Sequence, residues 1–412
     1  MNFLPVPNKR IFVERNQRTS EAIPLLAVSQ RHGVLPKREL EALDGRSLSA
    51  ENLDLSNYKV ARAGDLVYNK MRMWQGAVGV APCDGIVSPA YVVATPREPV
   101  DLRYFIYLFK SEWYQLESRK ESAGLCDDMN NLPWSAFSAM KSHVPDYLGQ
   151  IFVADYLDRQ TAAIDALIAK KEELLGVLDR YRQAVITKAV TKGLNPDVEL
   201  VDSGVEWLGT VPKHWELKKS RQVLIRAKEL NAGMRCANRL SLTLGGVLPR
   251  SLEDANGLQA SNYETYQIVK EDDLIFKLID LENVNTSRVG LVPEEGIVSP
   301  VYIRLSSRGA AVLPKFGYYW FYSMYLLQIF NKMGAGVRQA MSADELLSIR
   351  IALPPPDEQL QIVEALDGRL QSLKLLREKT ELVIARLKRY RASVISAAVT
   401  GNCVIASDSE AS

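Results

Sequence analysis

The sequence of 412 residues has few of the side chains on which metal and nucleophile chemistry depends. It contains four cysteines and three histidines, with no Cys-x-x-Cys and no His-x-x-x-His pair. This spacing argues against a disulfide framework, a zinc ribbon and a helical metal site. Glycine-rich nucleotide loops are absent, as is the Asn/Asp-Pro-Pro-aromatic tetrad of amino-methyltransferases. We therefore expect a chain that is not an enzyme, with no catalytic residue, metal or cofactor of its own.

Charge and hydropathy argue against a protein that is basic overall and against a membrane protein. Lysine and arginine exceed aspartate and glutamate by only two, so a polyanion must be held by local patches or with a partner's help. No apolar run reaches the ~18 residues that cross a membrane. Residues 1–5 lack a signal-peptide pattern. These features predict a folded cytoplasmic protein of two or three domains that does not enter a membrane.

One short charge pattern has two interpretations. Glu216-Leu217-Lys218 offers the carboxylate and lysine of a nuclease. It also fits a strand that enters a domain after Trp215, and short charge patterns recur by chance. We favour the strand.

Three segments occur twice, in the same order and at offsets of 208 to 211 residues. The pairs are Asp65 to Tyr68 with Asp273 to Phe276, Gly85 to Tyr91 with Gly296 to Tyr302, and Tyr181 to Ile186 with Tyr390 to Ile395. One order and one offset indicate an internal duplication. Each half predicts a mixed α/β globular unit, residues 1–147 and 210–355, followed by a long helix. A connection at 194–209 and a polar tail at 402–412 complete this division.

The long helices, 148–193 and 356–401, have the apolar spacing of a coiled coil. The seam residues are Leu157, Ile164, Leu178 and Val185 in the first helix and Leu366, Leu373, Leu387 and Val394 in the second. Lys171 and Thr380 interrupt the two series at the same repeat position. Each helix alone would suit ordinary packing on its own globular unit, but two duplicated seams favour mutual packing. We therefore predict an α+β fold in which an antiparallel coiled coil separates two similar units related by a pseudo-two-fold axis. Tyr181 and Tyr390 are further candidates for the coil or for partner docking.

Two similar units at a fixed separation suit duplex DNA, whose two-fold symmetry they would match. Helices of this length would make a rod of roughly 60 Å, close to two turns of B-DNA at about 34 Å each. The candidate DNA contacts are Lys70 for phosphate, Arg72 for guanine, Trp74, Lys277 at the position equivalent to Asn69, and Arg338 and Gln339 in a glycine-rich loop. A basic side chain in a loop is more often simply solvated. Ser88-Pro89 and Ser299-Pro300 instead predict structural turns.

Two longer motifs point to a family. Trp207-Leu208-Gly209, followed by Pro212-Lys213-His214-Trp215-Glu216, resembles the entry to a target recognition domain in specificity subunits of type I restriction-modification systems. Pro354-Pro355-Pro356-Asp357-Glu358-Gln359 resembles the Pro-Pro-x-x-Glu-Gln junction of the same family. The first half lacks the entry motif, and its junction keeps only Pro145 and Gln150.

The resemblance implies a non-catalytic subunit that reads DNA for phage defence. Residues 1–147 and 210–355 would be target recognition domains, each reading half of an asymmetric bipartite site, and the helices would be the central and C-terminal conserved regions. The implied partners are double-stranded DNA, two methyltransferase subunits that use S-adenosylmethionine, and two restriction subunits that use ATP and Mg²⁺. The alternatives are a specificity subunit whose nuclease and methyltransferase partner is one polypeptide, a two-headed scaffold that never binds DNA, and, least favoured, an enzyme that acts alone.

Overall fold

The computed structural model describes residues 2–19, 24–45, 57–122, 130–252, 262–279, 281, 287–333 and 340–402. Internal contacts divide the chain into two compact units. Unit 1 is Met1–Glu172 with Glu381–Ser412, and unit 2 is Glu173–Thr380. Each unit therefore combines one globular part with one half of each long helix.

The globular part of unit 1 alternates short strands with short helices. Its elements are β1 (Leu4–Pro7), α1 (Asn8–Ile11), β2 (Phe12–Glu14), β3 (Leu26–Ser29), β4 (Gly33–Pro36), α2 (Lys37–Asp44), β5 (Lys59–Ala61), β6 (Leu66–Asn69), β7 (Val78–Val80), β8 (Gly85–Val87), β9 (Tyr91–Pro96), α3 (Leu102–Lys110), α4 (Glu112–Glu121), α5 (Trp134–Ala139) and β10 (Lys141–Val144). The first long helix, α6 (Tyr147–Lys192), follows.

A four-stranded antiparallel sheet, in the order β2-β9-β6-β7, is the framework of this part. Its strands are rich in β-branched residues, and aromatic residues of α3, such as Phe105 and Phe109, pack against it with Phe12. The hairpin β3–β4 lies so close to β7 that a Cβ atom on Gly79 would come within 2.5 Å of the Val34 nitrogen. Only glycine permits this approach.

The globular part of unit 2 has the same plan after an added hairpin. Its elements are β11 (Leu200–Asp202), β12 (Thr210–Pro212), β13 (Glu216–Lys219), α7 (Ser220–Val223), β14 (Leu224–Arg226), β15 (Leu240–Thr243), β16 (Gly246–Pro249), β17 (Gln267–Val269), β18 (Leu274–Phe276), β19 (Val289–Leu291), β20 (Gly296–Val298), β21 (Ile303–Ser307), α8 (Pro314–Leu326), α9 (Ile329–Met333), α10 (Ala343–Ser348) and β22 (Arg350–Leu353). The second long helix, α11 (Pro356–Val399), follows.

The duplication is visible in the strand order. Unit 2 contains a sheet β14-β21-β18-β19, and β13 pairs with β22 as β1 pairs with β10 in unit 1. β13 begins at Glu216, directly after Trp215, so the favoured strand interpretation of that segment is confirmed. The Trp-Leu-Gly motif lies between β11 and β12, before the repeated framework begins. Both Ser-Pro pairs form turns, since Tyr91 N–H donates to Ser88 and Tyr302 N–H to Ser299.

Within each unit, the two long helices pack against each other in antiparallel directions. In unit 1, Leu157 of α6 shares a core with Ile395 and Val399 of α11. In unit 2, Ile186 shares a core with Leu366. Ion pairs follow the same register, with Arg391 on Asp165 in unit 1 and Arg377 on Asp179 in unit 2. The predicted α+β class with long paired helices is confirmed.

Candidate nucleic-acid interface

A tight turn after β6 carries the predicted contact residues of unit 1. The Asn69 side-chain oxygen accepts the Met71 N–H at 2.9 Å, and the Trp74 indole N–H donates to the Met71 carbonyl at 3.1 Å. Met73 is fully buried, so the turn is also fastened to the core. Arg72 is exposed. The turn therefore presents one guanidinium to solvent from a rigid base.

The other two candidates of this turn are less accessible. Lys70 is half-buried, and its backbone is fixed by hydrogen bonds to Ala90 and Leu132. Trp74 is half-buried, and the guanidinium carbon of Arg119 lies 5.1 Å from its ring centroid. Such a cation–π contact covers a ring face that a base would otherwise use for stacking. Arg119 itself is exposed beside the covered ring.

The tip of hairpin β3–β4 lies beside this turn, which we did not predict from the sequence. The Gln30 amide donates to the Gln75 side chain at 2.6 Å, and the Lys110 ammonium donates to the Gln30 carbonyl at 3.1 Å. Burial, and then the nearby charge of Arg391, lower the pKa of Lys110. Arg31 at the tip is exposed. Unit 1 thus assembles a polar and basic surface from the hairpin tip, the turn after β6 and the end of α3.

In unit 2, Lys277 occupies the predicted position at the end of β18. Its N–H donates to the Arg288 carbonyl at 3.0 Å, as Asn69 N–H donates to Ala77 at 3.0 Å in unit 1. The Lys277 side chain is half-buried. The other unit 2 candidates, Arg338 and Gln339, lie outside the described residues.

Two further arginines of unit 2 flank the hairpin β15–β16. Arg239 lies before the hairpin and Arg250 after it, and the Arg250 N–H donates to the Arg239 carbonyl at 2.8 Å. The Arg239 guanidinium carbon lies 5.7 Å from the Tyr263 ring centroid. Burial raises the pKa of Tyr302, while the two arginine charges act in the opposite direction. Unit 2 therefore places basic charge at the base of the hairpin, whereas unit 1 places it at the tip.

A buried carboxylate supports each candidate strand. Asp65 accepts the Arg62 N–H at 2.8 Å before β6, and Asp273 accepts the Lys270 N–H at 2.7 Å before β18. Each also binds an arginine, but the arginines come from different places. Arg15 follows β2, whereas Arg304 lies on β21. Both units have the buried carboxylate, but the arginine that binds it comes from a different part of the fold in each unit.

The two family motifs meet at the start of α11. The Glu358 carboxylate binds the His214 imidazole at 2.7 Å and the Trp215 indole N–H at 3.1 Å. The neighbouring Gln359 is fully buried, accepts the Leu313 N–H at 2.8 Å and donates to the Pro354 carbonyl at 2.9 Å. These motif residues thus attach the long helix to the globular part.

The glutamine of the junction is repeated in unit 1. Gln150 is buried, accepts the Asp101 N–H at 3.0 Å and donates to the Pro145 carbonyl at 3.1 Å. Gln150 and Pro145 are the two residues that the first junction shares with the motif. Their retention has a structural reason, because they close the same turn in both units.

A second contact that both units share joins the long helices to a helix of the globular part. In unit 1 the Asp158 carboxylate binds Arg103 at 2.8 Å and the Tyr107 hydroxyl at 2.7 Å. In unit 2 the Asp367 carboxylate binds Lys315 and the Tyr319 hydroxyl, both at 2.6 Å. A helix of the globular part, α3 or α8, is therefore fixed to the same flank of the paired helices in each unit.

Most of the predicted coil residues lie in the seam. Four are buried, namely Leu157, Ile164, Leu178 and Leu366, and four are half-buried, namely Val185, Leu373, Leu387 and Val394. Tyr181 and Tyr390 lie outside the seam, since 45% and 57% of their surfaces are exposed. As coil residues these two were wrongly placed; as docking residues they stay a prediction.

The described residues contain no group of three histidine, cysteine or acidic side chains arranged to hold a metal ion. Over the same residues, no helix has both the length and the apolar character to cross a membrane.

Comparison with known proteins bears on these observations. Residues 250–383 match the type I restriction-modification DNA specificity domain. Three curated relatives are specificity subunits of type I restriction enzymes. StySPI of Salmonella potsdam is 28% identical over 28% of this chain and 24% of its own length. EcoBI of Escherichia coli is 22% identical over 63% of the chain and 57% of its own. EcoKI of E. coli strain K12 is 22% identical over 75% of the chain and 67% of its own length.

Solved structures agree in fold. A chain from a study of complex assembly and conformational transition of the type I restriction-modification system matches with a TM-score of 0.71 and 15% identity, covering 98% of both chains. The HsdS subunit of Thermoanaerobacter tengcongensis matches with a TM-score of 0.57 and 14% identity, covering 98% of this chain and 97% of that subunit. The resemblance to type I specificity subunits is confirmed. The chain matches 24% of the length of StySPI and 57% of the length of EcoBI, which is less than two thirds of either protein.

Proposed function

We propose that the chain is the DNA sequence-specificity subunit of a type I restriction-modification complex and has no catalytic role itself. Each globular part reads one half of an asymmetric bipartite DNA site. The paired long helices set the distance between the halves and dock the methyltransferase subunits. Adenine methylation with S-adenosylmethionine and ATP- and Mg²⁺-dependent cleavage belong to two modification and two restriction subunits.

The observation that carries this proposal is a repeated framework with different exposed surfaces. The sheet order, the buried Asp65 and Asp273 and the glutamine junction recur in both units. The basic residues do not recur, since unit 1 exposes Arg31 at the tip of hairpin β3–β4 and Arg72 in the turn after β6, whereas unit 2 has Leu244 at the tip of hairpin β15–β16 and Arg239 and Arg250 at its base. A reader of two unlike half-sites needs this combination, because the framework sets position and the surface sets sequence.

The decisive experiment is modified-base sequencing of DNA from cells that express the chain with its cognate modification subunit. We expect adenine methylation at one gapped sequence and at no other. A matched variant replaces residues 1–147 by the same region of a relative, and we expect one half-site to change while the other and the gap stay. Methylation without sequence preference, or a change in both half-sites, would contradict the proposal.

The alternatives give different results in the same experiment. A two-headed scaffold that never binds DNA would leave methylation unchanged when the chain is omitted. A specificity subunit that serves a single fused nuclease and methyltransferase polypeptide would give a gapped methylated site, but with that one polypeptide as its only partner.

A further inference from the structure

A groove of unit 2 is lined by helix α8, the tip of hairpin β15–β16 and the two long helices, and it encloses a cavity of about 1240 Å³. Leu244 and Gly245 of the hairpin tip form one wall. Tyrosines of α8 form another, namely Tyr318, Tyr319, Tyr322 and Tyr325. The long helices contribute four basic side chains, namely Arg180, Arg182, Lys374 and Arg377. All of these residues belong to unit 2. We call this cavity the tyrosine groove.

Comparison of the two units shows that the tyrosine groove lacks a carboxylate that unit 1 has. In unit 1 the Asp165 carboxylate accepts two hydrogen bonds from the Arg391 guanidinium, at 2.8 and 3.1 Å. At the repeat offset of 209 residues, Arg182 corresponds to Arg391, and Lys374 corresponds to Asp165. Unit 2 therefore keeps the arginine but has a second cation where unit 1 has the counterion.

The two carboxylates that line the tyrosine groove are already bound. Asp179 forms an ion pair with Arg377, and Asp367 binds a lysine and a tyrosine of α8. Over the part of the chain that the structure describes, no carboxylate forms an ion pair with Arg182 or Lys374. Arg182 is half-buried, so water solvates its charge only in part. An anion in the groove would supply the missing counterion.

Tyr322 holds the Arg182 side chain at the edge of this cavity. The Arg182 guanidinium donates to the Tyr322 hydroxyl at 3.1 Å, and its carbon lies 5.2 Å from the ring centroid. At the offset of 212 residues that relates α3 to α8, the counterpart of Tyr322 is Lys110. The Lys110 ammonium donates to the Gln30 carbonyl at the hairpin tip of unit 1. Unit 1 thus bridges helix and hairpin here, whereas in unit 2 an arginine lines open space beside the hairpin.

The tyrosines offer hydroxyl groups to a ligand more than ring faces. Tyr318 and Tyr322 stack on each other, with ring centroids 5.4 Å apart and planes inclined by 25°. Burial, and then the neighbouring Tyr322, raise the pKa of Tyr318, so its hydroxyl stays protonated and can donate a hydrogen bond. A guanidinium, an ammonium and a hydroxyl around one space match the acceptor oxygens of a phosphate group. The ligand chemistry that fits the groove is therefore a phosphate.

We propose that Arg182, Lys374 and Tyr318 bind a backbone phosphate of DNA beside the half-site that unit 2 reads; this rests on the proposed function. The tip of hairpin β15–β16 is a wall of the groove, and the tip of its counterpart in unit 1 belongs to the candidate DNA surface. A phosphate contact positions the duplex without reading its sequence. Because Asp165 neutralises the equivalent arginine in unit 1, this contact belongs to unit 2 alone.

The test is Lys374→Asp, which gives Arg182 the carboxylate that Arg391 has in unit 1. Fluorescence anisotropy measures the binding of labelled duplexes to the full chain in complex with its modification subunit, over a series of salt concentrations. We expect binding about fivefold weaker near 0.1 M salt, and a plot of log K against log salt that is less steep by about one to two, because each phosphate contact releases about one counterion. The loss should be equal for the cognate duplex and for duplexes with altered half-sites.

Two further variants separate the groove from overall charge. Lys379→Asp makes the same change of charge at an exposed position of α11 outside the groove, and it should leave the affinity and the slope unchanged. Tyr318→Phe keeps the stacked rings and removes one donor, so it should weaken binding about two- to tenfold without changing the slope. Circular dichroism and native mass spectrometry check that each variant is folded and fully assembled.

Equal affinities and slopes for Lys374→Asp and the unaltered chain would overturn the inference. If the unaltered complex still methylates one gapped site in that case, the proposed function stands and the groove alone is wrong. A loss confined to some half-site sequences would indicate a base contact and would also contradict the proposal. Titration with inorganic phosphate distinguishes the sources of the ligand: if Lys374→Asp abolishes phosphate binding but leaves DNA binding unchanged, the groove takes a free anion and its assignment to the DNA backbone is wrong.

Discussion

The two buried carboxylates offer a comparison inside one chain, and we expect Asp273→Ala to destabilise its unit more than Asp65→Ala does. Asp273 binds Arg304 at 2.6 Å, and both side chains are 6% exposed. Arg304 also donates to the Ile268 carbonyl at 2.6 Å, which holds the guanidinium in the interior. Removing one member of a buried ion pair leaves an uncompensated charge and costs about 3–5 kcal/mol.

The counterpart in unit 1 is more exposed. Asp65 binds Arg15 at 2.8 Å, and 22% of the Arg15 side chain is exposed. Water can solvate Arg15 once the carboxylate is gone, so the loss is limited to hydrogen bonds and amounts to about 1–3 kcal/mol. Asp273→Asn keeps an acceptor for the Lys270 N–H but not the charge, so its cost should lie between those of Asp273→Ala and the unaltered chain.

Peptide-resolved hydrogen exchange measures both effects separately, because peptides covering β6 and β18 report on different units. We expect the opening free energy at β18 to fall in Asp273→Ala and to be unchanged at β6. Equal losses in the two alanine variants, or a larger loss for Asp65→Ala, would refute the reasoning that exposure of the arginine decides the cost.

Three further changes test the framework and the candidate surface. Gly79→Ala should destabilise hairpin β3–β4 by about 1–3 kcal/mol, because its Cβ would lie 2.5 Å from the Val34 nitrogen; faster exchange at β3–β4 is the measurement. Gln359→Leu should cost about 3 kcal/mol because it leaves buried backbone groups without partners, whereas Gln361→Leu on the exposed face should cost little; urea denaturation distinguishes them. Arg72→Ala should weaken binding of the cognate complex to its site by about 1–3 kcal/mol and relax one base position, and fluorescence anisotropy with substituted duplexes would show no change if Arg72 does not touch a base.

The elements with periodic sequence patterns could be predicted, because their periods record burial directly. Heptad spacing predicted the seam, and the repeated apolar segments predicted β6 and β18. The Ser-Pro turns followed from the fixed φ of proline. Heptad spacing did not distinguish Tyr181 from Leu178, because each belongs to a row that recurs every seven positions and only the exposure of the two side chains differs. Period alone does not say which of two neighbouring rows faces the partner helix.

Contacts between distant segments could not be predicted, because no local pattern encodes them. Arg15, which follows β2, and Arg304, which lies on β21, bind equivalent carboxylates, and no sequence pattern near either arginine indicates this contact. The hairpin that carries Gln30 at its tip could have been predicted from the sequence, because a polar run ending in Gly33 separates two apolar segments, as in a β-hairpin. What the sequence could not supply was that this tip reaches the turn that carries Arg72.

The repeat also explains why framework and surface can change independently. Residues retained in both halves, such as Gln150 with Gln359 and Asp158 with Asp367, have buried or bridging contacts that fix a globular part to the long helices. A substitution there breaks a contact that the whole unit needs. Residues such as Arg72 or Arg31 are exposed on loops whose backbone is fastened elsewhere, so they can be exchanged at little cost to stability. A substitution at such an exposed position in one unit therefore leaves the framework contacts of both units intact.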